Sequence, residues 1–132
     1  MLKSIAVMTS GGDSPGMNAA VRAVTRTALH QGVKVWGIRG GYHGMLDEDI
    51  FEMQSKDVSD IIQRGGTFLG TARCKRFTTP EGRMLGYKNL VDRGIQGLVV
   101  VGGDGSLRGA STLSPAVPVP AVPVPAVPVP AV

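Results

Sequence analysis

Several features that narrow the identity of a protein are scarce or missing in this chain of 132 residues. It has one cysteine, Cys74, so no disulfide can form within the chain, and a reducing, cytoplasmic setting fits best. No apolar run approaches the roughly 20 residues that cross a bilayer, which argues against a membrane protein. The first residues lack a long apolar core followed by a small-residue cleavage site, so we expect no secretory signal.

Aromatic residues and clustered positive charge are also scarce. Aromatics make up 5% of the chain, and the formal net charge of +4 comes from scattered Lys and Arg side chains. A nucleic-acid-binding protein would cluster its basic residues and interleave aromatics, so we expect no nucleic-acid partner. The charge favours anionic small molecules, and ordinary solvated surface is the alternative. The 42% hydrophobic fraction and the length predict a globular chain with a single folded domain.

Glycine, in contrast, is abundant. The chain has 19 glycines, and many are paired, as in Gly11-Gly12, Gly40-Gly41, Gly65-Gly66 and Gly102-Gly103. Without a Cβ, glycine lets backbone N–H groups approach a ligand closely and permits a positive φ angle. Paired glycines that follow strands therefore indicate binding sites more often than simple turns.

The apolar pattern predicts alternating strands and helices. Apolar runs indicate strands over residues 4–9, 33–38 and 97–101, with a short edge strand over 50–54. Helical spacing and capping residues indicate helices over residues 15–31, 57–63, 80–93 and 106–113, with loops over 40–44 and 64–73. On the third of these helices, Met84, Tyr87, Leu90 and Val91 fall on one side. The order predicts an α/β fold, a Rossmann-like three-layer parallel sheet with helices on both faces.

Two of the predicted strands end in glycine-rich turns. Ser10-Gly11-Gly12-Asp13 follows the first strand, and Gly102-Gly103-Asp104-Gly105-Ser106 follows the last. Neither is a Walker A or Gly-x-Gly-x-x-Gly motif. Backbone amides and the start of the next helix can hold phosphate oxygens. Two such turns suggest two cradles that face one polyphosphate, although the first can also be a tight turn with Asp13 as a local acceptor.

Asp104 adds a carboxylate to the second turn. Mg²⁺ prefers hard oxygen ligands and commonly bridges one or two carboxylates and substrate phosphates. Asp104 is therefore a candidate magnesium ligand, and a cap of the following helix is the alternative. Together the two turns indicate nucleotide-dependent phosphoryl transfer.

After Leu113 the composition changes. Residues 115–132 contain only Pro, Ala and Val, in a repeated Pro-Ala-Val-Pro-Val pattern. Proline at this density forbids helix and interior strand, so we expect a disordered or polyproline II tail over 114–132 and a folded part over 1–113. The tail can be a linker or a ligand for a proline-binding domain, but we favour repeat sequence without a role.

Four segments together resemble 6-phosphofructokinases and mark residues 1–113 as similar to the nucleotide-binding half of that family. They lie at residues 9–20, 64–73, 89–95 and 101–106. The last segment alone is not specific, because lipid and NAD kinases carry a similar Gly-Gly-Asp-Gly turn. The resemblance implies transfer of the γ-phosphate of ATP to the 1-hydroxyl of fructose 6-phosphate, in enzymes that are homo-oligomers.

The resemblance also implies roles for individual residues. Gly12 would approach the phosphates, Arg73 would contact the transferring phosphate, and Cys74 would offer its backbone beside the nucleotide. Gly103, Gly105 and Ser106 would line the ATP site, and Asp104 would serve Mg²⁺. Pyrophosphate-dependent relatives carry Asp where this chain has Gly105, so the resemblance implies ATP as the donor.

A second site is implied by the bacterial members of the family. The arginines that match Arg22 and Arg26 bind an allosteric ADP there, together with the segment that matches Ser55 to Asp60. Some relatives have Arg at the position of Ser55. Arg22 and Arg26 share one face of a helix, and a solvated face paired with surface acids is the alternative.

The residues with which the family binds the sugar phosphate and activates its hydroxyl group are not found in this sequence. The resemblance places the catalytic base in a Thr-Ile-Asp-Asn-Asp segment, which the 132 residues do not contain, so no catalytic residue is assigned. We expect the donor side of a phosphofructokinase, inactive by itself. A non-catalytic nucleotide-binding module whose tail recruits partners is the alternative.

Overall fold

The structure is a computed structural model. It describes residues 2–11, 16–61, 64–103, 106, 108–110 and 121–125. Its centre is one sheet of five strands with the spatial order β3-β2-β1-β4-β5. The strands are β1 (Ser4–Thr9), β2 (Lys34–Ile38), β3 (Ile50–Met53), β4 (Gly97–Gly102) and β5 (Ala121–Pro125).

The sheet is mixed, although most neighbouring strands are parallel. β1 pairs in parallel with β2 and with β4, and β4 pairs in parallel with β5. β3 instead runs antiparallel to β2. A parallel crossover needs roughly a dozen or more residues, and the connection from β2 to β3 covers only residues 39–49. The predicted parallel sheet is thus present in β1, β2 and β4, and the edge strand β3, whose direction the sequence does not predict, is antiparallel.

Helices cover both faces of the sheet, which confirms the predicted three-layer α/β fold. They are α1 (Met17–His30), α2 (Gly41–Asp47) and α3 (Pro80–Asp92), with 3₁₀ turns at Ser55–Val58 and Lys75–Thr78. Along β1, Ile5 and Val7 join the apolar cluster that contains Val21 of α1. Ala6 and Met8 join the opposite cluster, which contains Leu90 of α3. The strand is apolar throughout because both of its faces are buried.

Residues 40–44, predicted as a loop, lie largely in helix α2. The prediction was wrong because glycine usually disfavours helix, whereas here it permits close packing. A Cβ built on Gly44 would lie 1.5 Å from the carbonyl oxygen of Arg39. The short helix buries Tyr42 and Met45 in the core, and this burial offsets the low helix propensity of its glycines.

The helix predicted over residues 57–63 is replaced by the 3₁₀ turn at Ser55–Val58. Gln54 and Asp57 form a reciprocal capping box at its start, in which Gln54 N donates to Asp57 Oδ2 over 2.7 Å. Asp60 then adopts a positive φ of 62°, which ends any helical continuation.

Helix α3 begins as predicted but buries a different side. Thr79 is its N-cap, with Oγ1 accepting from Gly82 N over 3.0 Å, and Pro80 occupies the first turn. Met84 and Val91 are 55% and 45% exposed. The buried side consists of Gly82, Gly86, Asn89 and Leu90. Because the two glycines have no side chain, α3 packs closely against its neighbours through this side. Its larger apolar residues therefore remain exposed.

In the proline-rich tail, Ala121–Pro125 forms strand β5 along β4. This differs from the disordered or polyproline II conformation expected for these five residues. Successive residues of a strand direct their backbone groups to opposite sides, and proline has no N–H to donate. Because Pro123 and Pro125 alternate with Val122 and Val124, the valine side must be the one that pairs with β4. Residues 114–120 and 126–132 lie outside the described part.

None of the helices in the described part of the chain has the length and apolar character needed to span a membrane.

Candidate functional site

The two glycine-rich turns lie next to each other at one edge of the sheet. β1 and β4 are parallel neighbours, with Thr9 paired to Val101, so their carboxyl ends meet. Strands β2 and β3 extend the sheet on one side of β1, and β4 and β5 extend it on the other. Such a reversal of strand order opens a crevice where ligands bind in α/β proteins.

Direct contacts hold the two turns together. Ser10 N donates to Val101 O over 3.0 Å. A Cβ on Gly102 would lie 2.7 Å from Ser10 O and 2.8 Å from the Oγ of Ser106, so only glycine fits there. A Cβ on Gly11, which has a φ of +84°, would lie 3.3 Å from the same Oγ and 3.9 Å from Gly103 N. Gly11 of the first turn thus lies within a few ångströms of Gly103 N and Ser106 Oγ of the second turn.

A cleft of about 850 Å³ opens beside these turns. Three of its described lining residues are arginines, Arg73, Arg83 and Arg108, and none is acidic. The remaining lining residues are Ser10, Gly11, Tyr42, Thr71, Ala72, Cys74, Phe77, Thr78, Ser106 and Gly109. A concave surface with several guanidinium groups and accessible backbone amides is complementary to phosphate oxygens.

Residues 71–74 form one wall of the cleft. Arg73 is exposed, and no ion pair engages it within the described residues. Cys74 is a free, half-buried thiol. Arg83, on α3, donates through Nη1 to Thr78 O over 3.1 Å, and both residues line the cleft.

An aromatic pair also lines the cleft. The rings of Tyr42 and Phe77 stack with centroids 4.0 Å apart. The hydroxyl of Tyr42 donates to the backbone carbonyl of Ser106 over 2.6 Å, which ties helix α2 to the second glycine turn. Burial raises the pKa of the Tyr42 phenol well above its usual value, so the hydroxyl stays protonated and remains a donor.

Arg76 and Asp47 connect α2 to the 3₁₀ turn at Lys75–Thr78, outside the cleft. Arg76 Nη2 donates to Asp47 Oδ1 over 2.6 Å, and this hydrogen bond lowers the pKa of the Asp47 carboxyl and raises that of Arg76. His43 Nε2 lies 3.3 Å from Asp47 Oδ2. His43, predicted in a loop, is therefore part of this exposed network on α2. Since all three side chains are exposed, the network adds little to stability.

The residues predicted for the ATP site fall into two groups. Arg73, Cys74 and Ser106 line the same cleft, and Gly103 lies beside Gly11 at its edge. Gly12, Asp104 and Gly105 lie outside the described residues. Among described residues no group of three His, Cys, Asp or Glu side chains is placed to hold a metal ion. The role of Asp104 toward Mg²⁺ stays a prediction.

Tyr42, Phe77, Arg83 and Arg108 also line the cleft and were not singled out from the sequence. For Tyr42 a signal exists, because Gly40-Gly41 follows β2, whose carboxyl end lies at the same edge as the two glycine turns. Phe77 and Arg83 come from segments whose path depends on tertiary packing, so no local pattern reveals them.

The predicted effector residues lie on neighbouring elements away from this cleft. Helix α1, which carries Arg22 and Arg26, packs against the 3₁₀ turn that begins at Ser55, and Val21, Val58 and Ile61 share one cluster. In the described part no hydrogen bond or ion pair joins these arginines to Ser55 or Asp60. Their role toward ADP stays a prediction.

Replacing Tyr42 with Phe should destabilise the protein by about 1–2 kcal/mol, because the buried Ser106 carbonyl loses its donor. Below about pH 10, the unfolded-state pKa of tyrosine, the stabilisation from the neutral phenol is fully present in the wild type, and it declines as pH rises further. Tyr42→Phe should abolish that decline. Urea unfolding at pH 7 and at pH 10.5 measures both effects.

Tyr87→Phe is the matched control for this measurement. Tyr87 is half-buried and makes no side-chain hydrogen bond within the described residues, so its loss should change stability by less than about 0.5 kcal/mol. Equal effects of the two substitutions would contradict the assigned link between α2 and the second turn.

Comparison with known proteins gives a consistent result. The sequence profile of the family described as Phosphofructokinase matches residues 4–129. The chain is 62% identical over 113 residues to an ATP-dependent 6-phosphofructokinase of Paenibacillus macquariensis, covering 86% of this chain and 35% of that protein. It is 60% identical over 113 residues to one of Clostridium botulinum strain Hall, with the same coverage. The chain thus spans about a third of the length of these relatives.

Solved structures of similar fold are also phosphofructokinases. Pichia pastoris phosphofructokinase in the T-state superimposes with a TM-score of 0.86 at 42% identity, covering 95% of this chain and 15% of that one. Phosphofructokinase from Saccharomyces cerevisiae superimposes with a TM-score of 0.88 at 41% identity, covering 94% of this chain and 20% of that one. A pyrophosphate-dependent phosphofructokinase from Marinobacter aquaeolei, at 22% identity and a TM-score of 0.80, shares the fold.

Proposed function

The chain belongs to the phosphofructokinase family, and from this premise we propose that it forms the nucleotide-binding side of an ATP-dependent 6-phosphofructokinase. The observation that carries the proposal is the meeting of two glycine-rich turns beside a cleft that three arginines line. Phosphoryl transfer depends mainly on positioning and on stabilising charge, and this cleft offers both to a polyphosphate.

The proposed reaction transfers the γ-phosphoryl group of ATP to the 1-hydroxyl of fructose 6-phosphate. The bond between the γ-phosphorus and the β–γ bridging oxygen breaks, and a bond from the same phosphorus to the sugar oxygen forms. The hydroxyl proton passes to a general base on the acceptor side of the enzyme, and ADP and fructose 1,6-bisphosphate are the products. ATP and fructose 6-phosphate are therefore the proposed partners, with ADP as the proposed effector at the site of Arg22 and Arg26.

On the donor side, each element of the cleft has a proposed task. The amides around Gly12 and from Gly103 to Ser106 would hold phosphate oxygens, and Arg73 would neutralise charge on the transferring phosphate. The backbone of Cys74 would lie beside the nucleotide. The side chains of Tyr42 and Phe77, which also line the cleft, would bound the bulkier part of the nucleotide.

We propose Mg²⁺ as the cofactor of this cleft, with Asp104 as its protein ligand. The described lining holds arginines and no carboxylate, so a cation would depend on Asp104 and on the phosphates, which is the usual magnesium arrangement. When bound, Mg²⁺ would neutralise charge that develops on the phosphate oxygens. Gly105 stands at the position where pyrophosphate-dependent relatives carry Asp, and the lack of a carboxylate on this residue supports ATP as donor.

We expect the 132-residue chain to bind Mg-ATP with a saturable heat in titration calorimetry. Because Cys74 is the single cysteine and lines the cleft, saturating Mg-ATP should also slow its alkylation by iodoacetamide at least fivefold. Mg²⁺ without nucleotide serves as the control and should leave the alkylation rate unchanged. Absence of both the heat and the protection would refute the proposed function.

A further inference from the structure

The loop between Arg64 and Cys74 is held at several points by side chains that belong to other elements. Its residues Gly66 and Gly70 have φ angles of +78° and +75°, and residues 71–74 beyond them line the cleft. The conformation of residues 64–70 therefore decides where the wall with Arg73 stands. From these contacts we propose that Asn18 and Thr67 are positioning residues that fix this wall for nucleotide binding, an inference that rests on the proposed function.

Asn18 closes the first part of the loop. It lies in the first turn of α1 and is 1% exposed. Its Nδ2 donates to Arg64 O over 3.1 Å, and its Oδ1 accepts from Phe68 N over 2.8 Å. Its backbone N donates to Gly66 O over 3.2 Å. One buried side chain thus spans the loop and satisfies both a carbonyl and an amide, which makes these hydrogen bonds costly to break.

Thr67 closes the second part through Thr9, the last residue of β1. The Oγ1 of Thr9 donates to Gly70 O over 3.0 Å, and it lies 2.7 Å from the Oγ1 of Thr67. Because the single proton of the Thr9 hydroxyl is donated to Gly70 O, Thr67 must be the donor in the bond between the two hydroxyls. Thr67 Oγ1 in turn accepts from Leu69 N over 3.2 Å. This chain of bonds ties the loop to the strand that carries the first glycine turn.

The arrangement links the two sides of the candidate site. Asn18 follows the first glycine turn by a few residues, and Thr9 precedes it directly. Gly40 N also donates to Leu69 O over 2.9 Å, which adds the segment before α2. The wall with Arg73 is therefore held in register with the same backbone that would cradle the phosphates. A displacement of about 1 Å in such a wall weakens binding and catalysis strongly.

Asn18→Asp and Thr67→Val test this inference at nearly constant volume. The first removes the Nδ2 donor, and the second removes a hydroxyl that donates to Thr9 and accepts from Leu69 N. Asn89→Asp and Thr25→Val are matched controls. Asn89 is also buried, and its Nδ2 donates to Met45 O and Leu46 O, away from the cleft. Thr25 is fully buried, and its Oγ1 has no hydrogen-bond partner among the described residues.

Two readouts are measured at temperatures well below the Tm of each variant. In calorimetry, Asn18→Asp should weaken Mg-ATP binding at least tenfold and Thr67→Val at least threefold, with the controls within twofold of the wild type. Without nucleotide, the rate at which iodoacetamide alkylates Cys74 should change at least threefold in the two test variants. The same rate should remain unchanged in the controls. The control Asn89→Asp will lower the Tm, which separates a loss of stability from a loss of positioning.

If Asn18→Asp does not fold, Thr67→Val with Thr25→Val decides by itself. Test variants that bind Mg-ATP and label Cys74 like their controls would overturn the inference while leaving the proposed function standing. A wild-type chain that binds no Mg-ATP would refute the proposed function and, with it, the nucleotide role of the two residues. If the wild type binds no Mg-ATP but the test variants alter the labelling rate of Cys74, Asn18 and Thr67 hold the loop without a role in nucleotide binding.

Discussion

The 132-residue chain is expected to form no measurable fructose 1,6-bisphosphate from fructose 6-phosphate and Mg-ATP, although it binds the nucleotide. General acid–base assistance contributes about 10²–10⁴-fold to a reaction, and fixing two reactants in place contributes still more. The 132 residues contain no Thr-Ile-Asp-Asn-Asp segment, and the described cleft has no acidic residue in its lining. We expect turnover to be lower than that of a full-length relative by at least about 10⁴-fold.

A coupled assay that detects fructose 1,6-bisphosphate measures the turnover of the chain. The ATP-dependent 6-phosphofructokinase of Paenibacillus macquariensis is the positive control. Calorimetry on the same preparation must show Mg-ATP binding, since an unfolded sample would also be inactive. Turnover by the purified chain would contradict the expectation and would require a catalytic base within these residues.

Gly44→Ala should cause the largest loss of stability of any single substitution considered. The new Cβ would lie 1.5 Å from the backbone oxygen of Arg39, which no side-chain rearrangement can relieve. Overpacking costs about 1–3 kcal/mol when side chains can adjust, so a collision with backbone should cost more than about 3 kcal/mol. For a domain of this size that lowers the Tm by roughly 10 °C or more. Thermal and urea unfolding measure it.

Gly65→Ala is the control for that experiment. A Cβ on Gly65 meets no atom within 4 Å, and its backbone is not in the left-handed region. Its stability should stay within about 0.5 kcal/mol of the wild type. Because α2 carries Tyr42 to the cleft, Gly44→Ala should also weaken Mg-ATP binding in any fraction that remains folded. A Tm unchanged from that of Gly65→Ala would show that α2 is not packed as described.

The sheet and its glycine-rich turns were predictable because their signals are local. The apolar runs at residues 4–9 and 97–101 need both faces covered, and the glycines that follow mark the point where each strand ends. Parallel strands put their carboxyl ends at the same edge, so the contact between Gly11 and the second turn follows from strand order alone. The start of α3 was also predictable from its cap Thr79 and from Pro80, whereas α1 begins at Met17 after Gly16, without a side-chain cap hydrogen bond.

The parts that sequence reasoning missed depend on contacts between distant segments. Helix α2 contains Gly41 and Gly44, whose propensity argues for a loop, and only the fit against Thr9 O and Arg39 O makes them necessary. The buried side of α3 is likewise chosen by the close approach of Gly86 to Met45 and not by the apolar pattern. Phe77 reaches the cleft for the same reason, because the path of its segment is set by packing.

The alternating prolines of β5 have a consequence for how copies of this protein meet in solution. On the outer side of the strand, Pro123 and Pro125 present carbonyls without N–H donors, and only Ala121 keeps one there. A chain approaching this border would find too few donors to continue the ladder, so growth of the sheet from one molecule to the next is disfavoured on this side. This border of the sheet is thus a poor template for fibril-like stacking.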